Sequence, residues 1–184
     1  LGQTDQQMQV LATLSEKNPE NTNIKAVFGK KLLASGRSEQ AIPVLKAVAD
    51  SGTGDWRILS ALGSAYDQQG QYGTARETYQ KALALQPNQI SILNNMGMSY
   101  ALEGNLKEAE ETLRSAVALP EGKSLPRLRQ NLALVVGLQG RFEESRKIAS
   151  EDLPAEEVEA NMAYLQKMLS QPNTWQQLSG DTQG

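Results

Sequence analysis

The chain of 184 residues sets 18 Lys and Arg against 21 Asp and Glu, a formal net charge of -3, and contains neither His nor Cys. So small and mixed a charge offers no clustered cations for nucleic acid or an anionic membrane surface. The absence of Cys excludes disulfides, a thiolate nucleophile and Cys-ligated zinc, and the absence of His removes the commonest metal ligand and general base. An apolar share of 39% is enough for a core. The longest purely apolar run, Leu132 to Val136, is far shorter than the roughly 20 residues a membrane-spanning helix needs.

In chain order, residues 4–17 read as a lone helix ended by Pro19, the second half of a partial repeat over 1–21. The chain opens at Leu1 directly into helix-compatible sequence, without a basic-then-apolar leader, which is expected of a processed or trimmed form. Helix pairs then follow over 22–55, 56–89 and 90–123, broken at Gly36, Gly70 and Gly104 with a fixed period of 34 residues; a weaker counterpart, Gly140, comes 36 residues later. Each half carries apolar residues at three- and four-residue spacing, one buried stripe per helix. The glycines end the first helices because a left-handed cap costs least without a Cβ. Gly29, Gly63 and Gly97 face Ala41, Ala75 and Ala109 where the paired helices are expected to cross closely. Asp55 reads as an N-cap, and Pro43 predicts a late start or a kink in its helix.

The pair over 124–151 is degenerate: Ala133 replaces the glycine, Ser145 replaces the alanine, and the insertion Glu121–Pro126 lengthens its approach. Residues 152–170 read as a helix with Val158, Met162, Leu165 and Leu169 on one stripe, suited to sealing the end of a stack. The tail 171–184 carries Trp175 and Leu178 and is expected to pack back onto that helix.

These positions resemble the tetratricopeptide pattern, with Leu62-Gly63, Tyr66, Ala75, Tyr79 and Pro87 in one unit; Leu59 and Leu93 stand where its usual tryptophan would be. The resemblance implies an all-α fold: a solenoid of helical hairpins in a single domain, wound as a right-handed superhelix with a C-terminal capping helix. Carboxylate pairs such as Glu110-Glu111, Glu143-Glu144 and Glu156-Glu157 are interleaved with Lys107, Arg114, Arg146 and Lys147, as on solvated helix faces. No catalytic residue, metal site or cofactor follows from them.

Recognition remains. First helices of such arrays line a concave groove, and the peptide-binding positions in this register are Lys30, Arg57, Ser64, Asn94, Met98, Gln130 and Leu134. Ser60 and Asp67 share the polar end of that groove; Leu102 and Leu138, at its apolar end, are expected to pack against neighbouring helices instead.

The ending from Asn131 to Leu169, with its truncated last repeat, the DLP turn at Asp152–Pro154 and the run N-M-A-Y-L, resembles the TadD-type proteins of tight-adherence (Flp) pilus assembly. That likeness implies a periplasmic adaptor, attached to the outer membrane through a lipid anchor upstream of Leu1. Its partner would be a peptide or helix of a secretin or pilus component. The residues themselves leave open a generic scaffold of a different bacterial complex, and the oligomeric state.

Overall fold

A computed structural model describes residues 2–170, and the expected packing of Trp175 and Leu178 lies outside them. Ten α-helices and one 3₁₀ turn, without a strand, make up the described residues. They are α1 (Gly2–Lys17), α2 (Thr22–Ala34), α3 (Ser38–Asp50), α4 (Trp56–Gln68), α5 (Tyr72–Leu85), α6 (Ile90–Glu103), α7 (Leu106–Ala118), α8 (Pro126–Leu138), α9 (Phe142–Ala149) and α10 (Ala155–Ser170), with the 3₁₀ turn at Gly122–Ser124. The chain divides into two compact units, Leu1–Ile92 and Leu93–Gly184.

The breaks are built alike in both. Gly36, Gly70, Gly104 and Gly140 all adopt positive φ, between 69° and 93°. After each of them the next amide reaches back across the turn: Arg37 N–H to Leu32 O, Gln71 N–H to Tyr66 O and Asn105 N–H to Tyr100 O at 2.9 Å, and Arg141 N–H to Val136 O at 3.3 Å. That six-to-one bond with a left-handed glycine is the Schellman ending; it satisfies carbonyls the first helix would leave bare and turns the chain for the second. Asp55 caps α4, its Oδ1 accepting the Arg57 N–H at 2.9 Å, and Asn21 does the same for α2 through the Ile24 N–H at 3.1 Å. Pro43 delays nothing. Helix α3 starts at Ser38, set by the glycine turn before it, and Pro43 and Glu39 are both exposed, so water can take the carbonyl the missing N–H leaves.

In the N-terminal unit, α2 pairs with α3 and α4 with α5, while α1 lies against α2. Leu32, Ala41, Leu45, Val48, Ile58, Leu62 and Ala65 form its core, with Met8 reaching in from α1. The crossings need glycine. A Cβ on Gly63 would fall 2.5 Å from Tyr79 Cε1, and one on Gly29 would fall 2.8 Å from Leu45 Cγ.

In the C-terminal unit the first crossing follows the same rule: a Cβ on Gly97 would lie 2.7 Å from Leu113 Cγ. The second does not. Ala133 fills the glycine position, and the residue at the place of Leu45, Tyr79 and Leu113 is Ala149, so one methyl is gained on α8 and a large side chain is lost from α9. Ser145, fully buried at the alanine position, donates its Oγ–H to Ala133 O at 2.6 Å. Helix α10 then closes over the shortened pair: Val158 joins Ala133 and Ala149, and Leu165 comes so near Gly137 that a Cβ there would fall 2.6 Å from its Cδ1. Met162 and Leu165 are buried as their stripe predicts, and Leu169 is half-buried.

Candidate functional site

Helices α6, α8 and α10 give the C-terminal unit an open face. Asn131 on α8 donates its Nδ2–H to Asn94 Oδ1 on α6 at 2.7 Å, which sets those two helices in register. One turn further on, half-buried Met98 follows Asn94 on α6, and Leu134, 38% exposed, follows Gln130 and Asn131 on α8. Leu102 is 52% exposed, so the expectation that it packs into the neighbouring helices fails; its α6 neighbour Ala101 takes the buried place instead. Leu138 is half-buried. Between α8, α9 and α10 lies a pocket of about 260 Å³ bordered by Gln130, Leu134, Asn161, Tyr164 and Leu165. Tyr164 stands 68% exposed at its edge. The volume suits a side chain or two of a partner rather than a drug-sized ligand, whose pockets run from about 300 Å³ upward.

Of the predicted positions, Asn94, Met98, Gln130 and Leu134 thus fall together in this unit. Lys30, Arg57 and Ser64 belong to the other one. Lys30 is exposed on α2. The Arg57 guanidinium lies over the Trp56 ring, 4.7 Å from its centroid, with Asp55 at 3.6 Å. Ser64 serves the interior: its Oγ is 3.1 Å from the Tyr79 hydroxyl, which donates to Asp67 Oδ2 at 2.7 Å. Burial, reinforced by the Asp67 charge, pushes the Tyr79 phenol well above its ordinary pKa and keeps it a donor. Asn161 and Tyr164 escaped the sequence reading because α10 was read as a lid. Its periodicity could have placed them, since Asn161 and Tyr164 flank the stripe of Val158, Met162 and Leu165 and border the same pocket as Leu134 of α8.

The carboxylates behave unlike a solvated face at one point. Glu110 on α7 is only 12% exposed and accepts from Arg141, from Arg114 Nε at 2.7 Å and from Gln139 Nε2 at 2.8 Å. Those bonds, led by Arg141, outweigh burial and hold its pKa at about 2 against an ordinary 4.5. Glu144 on α9 also takes Arg114 and Arg141, so the cluster ties α7 to the last helix pair. A second clamp runs from Arg129 on α8 to Asp152 before α10, with Nε to Oδ2 at 2.8 Å and a further bond to the Lys123 carbonyl. Arg129 depresses the Asp152 pKa. These pairs tie helices together, Arg114 and Arg141 being shared by Glu110 and Glu144 while Arg129 neutralises Asp152. Among the described residues there is no group of three or more His, Cys, Asp or Glu that could hold a metal. No helix of the described residues is long and apolar enough to cross a membrane.

Two family models match the chain, a TPR repeat over residues 63–104 and a tetratricopeptide repeat over 90–122. Residues 63–122 carry tetratricopeptide repeats. Solved structures extend the likeness. A crystal structure of MamA superposes with a TM-score of 0.69 at 23% identity, over 89% of this chain and 92% of that one. A thermophilic TPR protein from Thermus thermophilus gives 0.70 at 21% identity, over 91% and 92%. MamA from residue 41 to its end, from Desulfovibrio magneticus RS-1, gives 0.62 at 26% identity, over 68% and 71%. No curated protein matches the sequence. Tetratricopeptide arrays are protein-interaction scaffolds, and the first helices of the repeats here, α6 and α8, carry the open face described above.

Proposed function

We propose that the chain is a protein-interaction adaptor whose C-terminal unit grips a peptide or helix of a partner on α6, α8 and α10. The observation that carries this is the pocket beside exposed Leu134 and Tyr164, a place for one large apolar side chain with the amides of Gln130 and Asn161 at its edge. Met98 widens the apolar patch with a flexible side chain that can adapt to its ligand. Lys30 and Arg57, exposed on α2 and α4, would meet acidic parts of a partner, with Ser64 nearby on α4. We further read the partner as a secretin or pilus component and the setting as the periplasm, at the outer membrane. The support is the resemblance of the ending, with its DLP turn at Asp152–Pro154 and its N-M-A-Y-L run, to the TadD-type pilus assembly proteins.

Capture from envelope extract followed by calorimetric titration tests both levels. Met98→Glu with Leu134→Glu is expected to abolish binding while helical content stays unchanged, and Glu111→Lys, on an exposed face, is expected to leave it intact. Binding that survives the first pair would remove the site. Capture of a partner unrelated to pili would keep the adaptor and discard the pilus reading.

A further inference from the structure

The repeat register gives the pocket beside Leu134 and Tyr164 a definite meaning. Gly29, Gly63 and Gly97 are each met by a large side chain of the second helix, Leu45, Tyr79 and Leu113, and all three side chains are sealed, none more than 1% exposed. In the last pair the same seat lies between Ala133 and Ala149, and α9 brings only a methyl to it. Helix α10 covers this pair without filling the seat. The pocket of about 260 Å³ has Ala133, Ser145, Ala149, Met162 and Leu165 as its floor, all buried, and Leu134, Asn161 and Tyr164 at its mouth, all exposed. A space that the regular hairpins fill from within is here open from outside.

We propose that this vacated seat takes one phenylalanine side chain of the partner, which completes the last repeat as Tyr79 and Leu113 complete theirs; the proposal rests on the adaptor reading above. Charge selects the occupant first. No charged residue borders the pocket, and Asp152, which Gln130 reaches, is already paired with Arg129. A carboxylate or ammonium would therefore enter without a counter-charge and lose its hydration. Size comes next: a methyl would leave most of the seat empty and forfeit the contacts its walls can make. The Met162 thioether in the floor and the Tyr164 ring at the mouth favour an aromatic ring over a leucine. The ring tip decides the rest. The Tyr79 hydroxyl is matched by Ser64 and Asp67, but Leu134 and Gly137 hold those positions here, and Ser145 spends its O–H on Ala133 O. A tyrosine hydroxyl would lack that matched pair, so phenylalanine is preferred. At the mouth the side-chain amides of Gln130 and Asn161 can bond the peptide backbone that carries the ring.

The test titrates the isotope-labelled whole chain with a capped, uncharged peptide that carries one phenylalanine among glycines and serines, and follows the amide shifts. Saturable shifts are expected at Ala133, Ala149 and residues 161–165, and none on α2 to α5. The same peptide with alanine or glutamate in place of phenylalanine should bind about tenfold more weakly or worse, and with tyrosine severalfold more weakly. Ala133→Gly with Ala149→Leu rebuilds the pair formed by Gly97 and Leu113 and fills the seat from within. This variant should lose about tenfold or more in affinity yet melt at or above the temperature of the unaltered chain, which a damaged fold would not do. Tyr164→Ala, at a position 68% exposed, should weaken binding severalfold with the fold intact. Absence of saturable shifts, equal binding of the glutamate peptide, or equal binding by the filled variant overturns the proposal. Tighter binding by Trp175→Ala overturns it too, since the occupant would then be a segment of this chain outside the described residues. If the filled variant captures the partner from extract as before, while Met98→Glu with Leu134→Glu loses it, the adaptor reading stands and this inference falls. The reverse result keeps the seat and removes the wider face.

Discussion

The two units solve one packing problem in different ways. In the N-terminal unit each hairpin closes by setting a bare glycine against a large side chain, Gly29 against Leu45 and Gly63 against Tyr79. In the last pair of the C-terminal unit neither partner remains: alanine faces alanine across α8 and α9, and α9 has only eight residues. What apolar interlock no longer supplies there is taken over by the seal of α10 and by ionic clamps, Glu110 with Arg114 and Arg141, and Arg129 with Asp152. In the other unit the pairs Lys46–Asp50 and Arg57–Asp55 each join residues of one local segment and tie no helix pair to the next. A repeat can therefore lose its signature residues and keep its fold, provided side chains from elsewhere, here those of α10, cover the space that its own helices no longer fill.

The sharpest way to break that comparison is at the glycine crossing. Gly63→Leu should cost at least the upper part of the about 1–3 kcal/mol typical of overpacking, because the Tyr79 ring has nowhere to go. Denaturant midpoints check it against Glu77→Leu, an exposed position on α5 expected to shift stability by no more than about 0.5 kcal/mol. The converse is more telling. Gly63→Ala and Tyr79→Ala together copy the alanine pair of α8 and α9, and their costs should fall short of the sum by about 0.5–3 kcal/mol in a double-mutant cycle. Strict additivity would mean that the volumes are not exchanged across the crossing.

Acid should separate the units next. Glu110, Asp152 and Glu159 all have pKa values below the ordinary range, each through a guanidinium, and all lie in the C-terminal unit. A depressed carboxylate adds stability that is fully present above its unfolded pKa and disappears as pH falls through the folded one. For Glu110 that window runs from 4.5 down to about 2. Hydrogen exchange followed as pH is lowered through this window should show α7, α8 and α9 losing protection before α2 to α5. Glu110→Gln should remove much of that pH dependence, at the expense of stability near neutrality. Smaller again is Ser145→Ala, which restores the usual repeat residue but strips a buried bond from the Ala133 carbonyl; about 0.5–1.5 kcal/mol is expected.

Much of this was legible beforehand, and the rest was hidden for definite reasons. The turns at Gly36, Gly70 and Gly104 and the crossings at Gly63 and Gly97 follow from period and residue size alone, since only glycine suits both the positive φ and the close approach. Ala133 and Ser145 were readable as departures, but that Ala149 stands against Ala133 appears only when the two helices are set face to face. Glu110 looked like a solvated carboxylate because its partners Gln139 and Arg141 lie about 30 residues away, beyond any helical spacing. Ser64 sat at a groove position in register, yet register says nothing of a buried tyrosine fifteen residues on that needs its hydroxyl matched.

Changes at the turn glycines test what the units share. Gly70 and Gly140 have φ of +69° and +80°, and a Cβ on either would meet nothing within 4 Å. Space is therefore not the constraint, and the cost of alanine at each is the left-handed backbone alone, about 1–2 kcal/mol. Because that term ignores how the paired helices cross, Gly70→Ala and Gly140→Ala should cost the same despite the different packing around them. Gly73 supplies the contrast: it lies within α5 without a positive φ, and a Cβ there also meets nothing. Gly73→Ala should stabilise by about 0.4–1 kcal/mol, since it removes freedom from the unfolded chain without straining the folded one. Thermal melts of the three single variants decide it. A Gly140→Ala cost well above that of Gly70→Ala would show that the last turn carries strain beyond its backbone, and that the degenerate pair depends on its glycine more than the regular ones do.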